Sequence, residues 1–230
     1  MEIRVAGENA VIVYFGHSVN QETLHNVQRF CQAVEQLLGR KLIDLIPSYS
    51  SVVVVYDSTL IDYATIRRKI QALRLPVKKT ITTGTPVELP VYYSPESGPD
   101  LESVAALHQL TVDEVINIHS SREYLVYAIG FAPGFAYLGN VDKRIATPRL
   151  STPRLKVPAG AVAIADNQTA VYPSQSPGGW NLIGLCPTPM FDAHTNSPMP
   201  VAVGDTVRFR PVSREEFLHL DGAPFLEGQL

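Results

Sequence analysis

Cysteine is almost missing from this 230-residue chain: Cys31 and Cys186 are the only two. They stand far apart, in no C-x-x-C or Cys/His cluster, so neither a disulfide framework nor a zinc site is expected, and a reducing compartment fits. No apolar run approaches the ~20 residues of a membrane helix. The opening stretch MEIRVAGENAVIVYFG has an early arginine but also two glutamates and only short apolar runs. It reads as strands rather than a signal peptide, and the cytoplasm is the expected location. An excess of positive charge is also missing: the formal net charge is -3, which excludes a broad basic field for nucleic acid. There is no G-x-x-x-x-G-K-[ST], no G-x-S-x-G and no H-E-x-x-H, and the SPGG at 176–179 is not a P-loop because no lysine follows.

What is present describes a folded protein of unequal halves. Apolar residues make up 45% and charged residues 18%, enough for a real core. Residues 1–84 carry ten Lys/Arg against seven Asp/Glu, and residues 85–230 carry nine against fifteen. Thr, Gly and Pro cluster at Lys78–Pro86, and a domain boundary is expected there. In 1–84, Ala10–Phe15 reads as a strand. Leu24, Val27, Cys31, Val34 and Leu38 then mark one helix face, opened by Asn20 and closed by Gly39. Two strands flank a turn at Pro47–Ser50, and Ile66, Ile70 and Leu73 mark a second helix. A last strand near Thr80 would complete a ferredoxin-like β-α-β-β-α-β order.

Residues 85–230 open with the strand VELPVYY and two short helices, the second begun by the capping-box pattern TVDE at Thr111. Short strands follow at Ala161–Ala165, Gln168–Tyr172, Asn181–Gly184 and Thr206–Val212, separated by Pro and Gly. That pattern belongs to a sandwich or barrel.

Three features carry candidate chemistry. The tandem TPRLSTPRL, Thr147–Leu155, contains two prolines that exclude a regular central strand, so it reads as an extended loop or edge presenting Arg149 and Arg154. From Lys143 to Ala165 there is no acid but five basic residues: Lys143, Arg144, Arg149, Arg154 and Lys156. This island suits a carboxylate or phosphate, because arginine's planar fork binds either one; it equally suits a solvated sheet edge. Between Gln168 and Gly184, the Pro177-Gly178-Gly179 turn can offer backbone amides to an anion, while Gln168, Thr169, Tyr172 and Asn181 are neutral donors and acceptors. Trp180 reads as core. His119, near the end of the second short helix, suits either a helix-end structural role or general acid/base work.

The stretches GPDLESVAALHQLTVDEVINIHSSREYLVYAIGFAPGFAYLG and TPRLSTPRLKVPAGAVAIADNQTAVYPSQSPGGWNLIG closely resemble the family of 5-oxoprolinase B subunits, also called allophanate hydrolase subunit 1 or the sporulation-kinase inhibitor family. The resemblance covers the whole second part, in order. Ala170 stands where family members usually carry glycine. The resemblance implies an α+β protein: a ferredoxin-like domain, 1–84, and a cyclophilin-like β-barrel, 85–230. It implies a protein that works with the A subunit and the barrel-bearing C subunit of 5-oxoprolinase to cleave 5-oxo-L-proline to L-glutamate with ATP, the nucleotide and Mg being shared with a partner. The chain alone would then be inactive. The alternatives are a non-catalytic inhibitor of a sensor histidine kinase and a carboxyl-transfer component of a urea amidolyase-type enzyme.

The expected site is a cleft on the barrel. Phe131, Phe135 and Tyr137 of the GFAPGFAYLG stretch would form its apolar wall. Arg149, Arg154 and Lys156 would supply charge, and Gln168, Thr169 and Tyr172 would orient the substrate. Pro177, Gly178 and Gly179 would offer amides. Arg149, His119 and Gln168 are the candidate catalytic residues. No protein-bound metal is expected.

Overall fold

The computed structural model describes residues 1–16, 20–75 and 87–222. It divides into two compact units, Met1–Thr83 and Gly84–Leu230. In the first, β1 (Glu2–Gly7), β2 (Ala10–Tyr14), β3 (Leu42–Pro47) and β4 (Ser51–Tyr56) form one antiparallel-paired sheet in the order β1-β2-β4-β3. Two helices accompany it, α1 (Gln21–Leu38) and α2 (Tyr63–Ala72). The Asn20 side chain caps α1 by accepting from the Thr23 amide, and Asp62 does the same for α2 through Thr65. The buried face of α1 is Leu24, Val27, Phe30, Val34 and Leu38. Phe30 takes the deep position expected of Cys31, which is half-buried, its thiol pKa pushed up to about 11 by burial. The edge beside β2, where the expected last strand would pair, is filled by the N-terminal β1. The strand expected near Thr80 lies outside the described residues.

The second unit is a nearly closed barrel. Seven strands pair in the order β12-β9-β10-β7-β6-β13-β5: Asn181–Leu185, Ala161–Ala165, Gln168–Val171, Ala136–Gly139, Glu123–Ile129, Thr206–Pro211 and Val87–Val91. Tyr92, just past β5, exchanges two backbone hydrogen bonds with Leu185 of β12, at 2.8 and 3.0 Å. The two ends of the sheet therefore meet. One core draws on all seven strands: Val91, Val126, Leu138, Ile164, Val171, Ile183 and Phe209 belong to it. A face shared by every strand of a closing sheet is its inner face. Helices α3 (Leu101–Leu107) and α4 (Val112–Ser120) contribute to the same core. The capping box at Thr111 and Glu114 forms as the sequence pattern requires.

Alternation then decides the outer face. In β9, Val162 and Ile164 point in, while Ala161, Ala163 and Ala165 point out. With Ala170 of β10 they make a floor of small side chains. Onto it pack Phe135, Tyr172 and Trp180, Val157 of a two-stranded antiparallel sheet formed by β8 (Arg154–Val157) and β11 (Ser176–Gly178), and Phe217 of α5 (Arg214–His219). This second, outer core supports the candidate site.

Candidate functional site

The loop between β7 and β8 is tied down by backbone bonds rather than by regular structure. The Leu150 amide donates to the Gly179 carbonyl at 2.7 Å, and the Asp166 amide to the Thr147 carbonyl at 2.7 Å. The Asn181 side-chain amide donates to the Pro148 carbonyl at 2.8 Å. Thr147 spends its hydroxyl proton on the Ile145 carbonyl, so its oxygen accepts from His108 Nε2 at 3.1 Å. These ties hold exposed Arg149 with its guanidinium carbon 5.8 Å from the centre of the Trp180 ring. That is a cation–π arrangement on a buried indole. Among the described residues no carboxylate pairs with Arg149.

Around it the aromatics interlock. Phe135 meets Tyr137 at 4.9 Å, Tyr172 at 5.3 Å and Trp180 at 5.7 Å between ring centres, all edge-to-face. Burial raises the pKa of the Tyr137 phenol, and Arg149 opposes the shift. The Tyr172 phenol is pushed up to about 12 by burial, against the pull of Arg149 and Arg154. Both phenols remain protonated at neutral pH, and so they can donate hydrogen bonds. The Tyr172 hydroxyl presses against Gly178, where a Cβ would collide with it. Gln168 is half-buried at the start of β10, opposite Gly139. The inward set of its strand is Thr169 and Val171, so Gln168 shares the outer face with Tyr137.

Several expected site residues are placed differently. Arg154, the second arginine of the tandem, is turned inward: its Nη2 donates to Asp100 Oδ1 at 2.7 Å, with side chains 19% and 12% exposed. The other Asp100 oxygen accepts from the Leu182 amide at 2.7 Å. Arg154 is therefore a structural cation tying β8 to α3 and β12, and its buried Nη1 has no partner among the described residues. His119 is fully buried inside the barrel. Thr169 spends its proton on the Ala163 carbonyl at 2.9 Å and so accepts from His119 Nε2 at 2.9 Å. His119 Nδ1 then accepts from the Tyr93 hydroxyl at 2.7 Å. The ring stacks on Phe209 at 4.6 Å, and burial pushes its pKa down to about 3. Both ring nitrogens are engaged by these two hydroxyls. The structure therefore places His119 and Thr169 in the barrel interior, on the opposite face of the sheet from Arg149 and Trp180.

Lys156 is exposed on β8, and Pro177 is exposed on β11. Neither Gly178 nor Gly179 has a positive φ, so the turn lacks the alternation of an anion-binding nest. Gly178 instead makes room for Tyr172, and Gly179 offers its carbonyl to the Arg149 loop. Phe131 does not shield the cluster: it meets Phe135 edge-on at 5.3 Å but is 66% exposed. Two residues matter more than their sequence context suggests. Asp100 sits in the GPDL stretch, 54 positions from its arginine, and no local pattern links the two. Trp180 is core, and it also serves as the platform for Arg149. Among the described residues, no three His, Cys, Asp or Glu side chains come together as metal ligands would. No described helix is long and apolar enough to cross a membrane.

A family model described as "Carboxyltransferase domain, subdomain C and D" matches residues 1–201. A Bacillus subtilis protein named as the B subunit of 5-oxoprolinase is 37% identical over 227 residues, covering 94% of this chain and 95% of that one. Among solved structures, TTHA0988 superposes with a TM-score of 0.79 at 32% identity; the match spans 92% of this chain but only 40% of TTHA0988. The Kluyveromyces lactis urea amidolyase matches 94% of this chain and 15% of its own length, with a TM-score of 0.77 at 19% identity. That last likeness shows the fold alone, and the barrel fits the cyclophilin-like type.

Proposed function

From the premise that this chain belongs to the carboxyltransferase subdomain C and D family, alongside proteins named as B subunits of 5-oxoprolinase, we propose that it is the B subunit of an ATP-dependent 5-oxoprolinase. It works in the cytoplasm with the A and C subunits of that enzyme, and is inactive alone. The observation that carries the reading is Arg149: an exposed guanidinium, without a counter-ion among the described residues, held over Trp180 beside two protonated phenols.

That arrangement suits a small anion with a flat apolar body. 5-Oxoproline carries one carboxylate and a five-membered lactam. Arg149 pairs with the carboxylate in bidentate fashion, Tyr137 and Gln168 orient the lactam, and the packed Phe135 behind them keeps water from that side. A single guanidinium is matched to one carboxylate. It is poorly matched to a magnesium-bound triphosphate, which needs several donors and a metal-holding group. We therefore assign ATP and its Mg to a partner protein of the complex. When bound there, ATP supplies phosphoryl activation of the lactam oxygen. The contribution of this chain is to bind and orient the substrate.

The test is ATP-dependent glutamate release from 5-oxoproline, measured with the chain alone, with the A and C subunits, and with Arg149→Ala in the full mixture. The expected result is turnover only in the full mixture, reduced at least 100-fold by the substitution, with no change in thermal midpoint because Arg149 is exposed. Full turnover by Arg149→Ala would remove this residue from the site. No turnover by any mixture of the folded proteins would move the assignment to the kinase-inhibitor reading.

A further inference from the structure

Arg149 and Trp180 are held in register by their sequence neighbours. Ahead of the arginine, the Pro148 carbonyl accepts from the Asn181 side-chain amide at 2.8 Å. After it, the Leu150 amide donates to the Gly179 carbonyl at 2.7 Å. The residues on either side of Arg149 are thus bonded to the residues on either side of Trp180, as across one step of an antiparallel pair. Pro148 has no amide proton to complete such a pair, and the Asn181 backbone is already paired with Ile164 in the barrel sheet. The Asn181 side chain supplies the bond instead. It is buried, and its amide also donates to the Ile164 carbonyl at 3.2 Å. One side-chain amide therefore spans from the barrel wall to the loop that carries Arg149.

We propose that Asn181 is a positioning residue of the substrate site, acting through the Pro148 carbonyl to keep the Arg149 guanidinium over Trp180, where it meets the substrate carboxylate. The inference rests on the assignment of that carboxylate to Arg149 above. A cation–π contact at an exposed site is too weak to hold a long side chain by itself, so the backbone beneath the arginine has to be placed by other bonds. Two such bonds directly flank Arg149, and they differ in kind. The Leu150–Gly179 bond is backbone to backbone and survives any ordinary substitution. The Asn181–Pro148 bond is made by a side chain, so the identity of residue 181 decides whether it exists. Pro148 passes the constraint on, because its φ is fixed by its ring. His108 adds a more distant hold: its Nε2 donates to the Thr147 hydroxyl oxygen at 3.1 Å, one residue before Pro148. Displacing a substrate-binding group by even about 1 Å is costly to an enzyme, so the bond matters to binding as well as to folding.

The experiment uses Asn181→Leu, which keeps the approximate size and removes the donor, with two readouts. The first needs neither substrate nor partner: the emission of Trp180, the only tryptophan. Arg149→Ala should shift that emission by removing the cation above the ring. Asn181→Leu should reproduce roughly half of the shift or more, and should add nothing further in the Arg149→Ala background. The second readout is turnover of 5-oxoproline with the A and C subunits present. Asn181→Leu should raise KM about tenfold with kcat within about threefold, and the double variant should be no slower than Arg149→Ala alone. A residue that only stabilises the barrel would instead add its loss to that of Arg149→Ala. Such additivity overturns the proposal, as does wild-type emission and KM in a folded Asn181→Leu protein. An emission that Arg149→Ala leaves unchanged also overturns it, because the guanidinium would then not rest on the ring. Should Asn181→Leu fail to fold, His108→Ala reaches the same loop from just beyond α3, and should shift emission and KM in the same directions by smaller factors; wild-type values there overturn the proposal. If the emission cycle holds but no wild-type mixture releases glutamate, the enzyme reading is refuted and the placing of Arg149 by Asn181 stands.

Discussion

Replacing Asp100 with alanine should destabilise the barrel unit by about 3 kcal/mol, through two losses. The amide of fully buried Leu182 loses its acceptor, and a buried donor left unpaired costs ~1–3 kcal/mol. The Arg154 guanidinium loses its counter-charge while its Nη1 is already without a partner among the described residues. Breaking a fully buried pair costs ~3–5 kcal/mol, but an arginine 19% exposed keeps some water, which reduces its share. For a unit of this size the thermal midpoint should fall by about 10 °C. Trp180 is the only tryptophan and lies in this unit, so urea unfolding followed by its fluorescence reports the barrel alone. Arg154→Met removes the cation together with its unpaired nitrogen and leaves Asp100 bonded to Leu182, but that 12%-exposed carboxylate loses its counter-charge, so this variant too should cost ~2–4 kcal/mol. The double variant Asp100→Ala/Arg154→Met should cost clearly less than the two singles together. Because β8 directly follows the loop that carries Arg149, Asp100→Ala should also raise the KM for 5-oxoproline. A loss below 1 kcal/mol, or simple additivity in the double variant, would refute the view that this pair holds the loop.

Gly178→Ala should place its methyl group against the Tyr172 hydroxyl and 3.0 Å from the ring carbon that bears it, costing ~1–3 kcal/mol by the same unfolding assay. Tyr172→Phe in the same chain should relieve part of that loss. His119 is neutral in the fold with a pKa of about 3, whereas an unfolded histidine titrates near its ordinary 6.5. The unfolded state therefore binds the extra proton between those values. Stability contributed by this residue is fully present above about pH 6.5 and falls as pH drops toward 3, by up to ~1.4 kcal/mol per pH unit. His119→Gln should be less stable at pH 7 and show a shallower acid limb. An unchanged acid limb would mean that the interior histidine does not set it.

The barrel was legible because its signals are local. Val162 and Ile164 alternate with Ala161, Ala163 and Ala165 over one short run, and the boundaries of β9, β10, β12 and β13 follow their flanking Gly, Pro and Asp residues. Caps at Asn20 and Thr111 need only a few residues to declare themselves. The site was legible only in part, because its decisive facts are not local. Arg149 and Arg154 stand in the same TPRL context, yet one is exposed over Trp180 and the other is turned onto Asp100. What separates them is pairing: Arg154 begins β8 opposite Gly178 and faces α3, while Arg149 still belongs to the loop. His119 posed the same difficulty in reverse. Its place near a helix end suits several roles, and only barrel closure brings Tyr93 and Thr169 to its two nitrogens. The alanines connect the two levels. Larger side chains at Ala163, Ala165 or Ala170 would lift Phe135, Tyr172 and Trp180 away from the sheet, and Arg149 would lose the ring beneath it. A plain run of small residues in the sequence thus sets the depth of the aromatic layer, and that layer sets where the Arg149 guanidinium can stand.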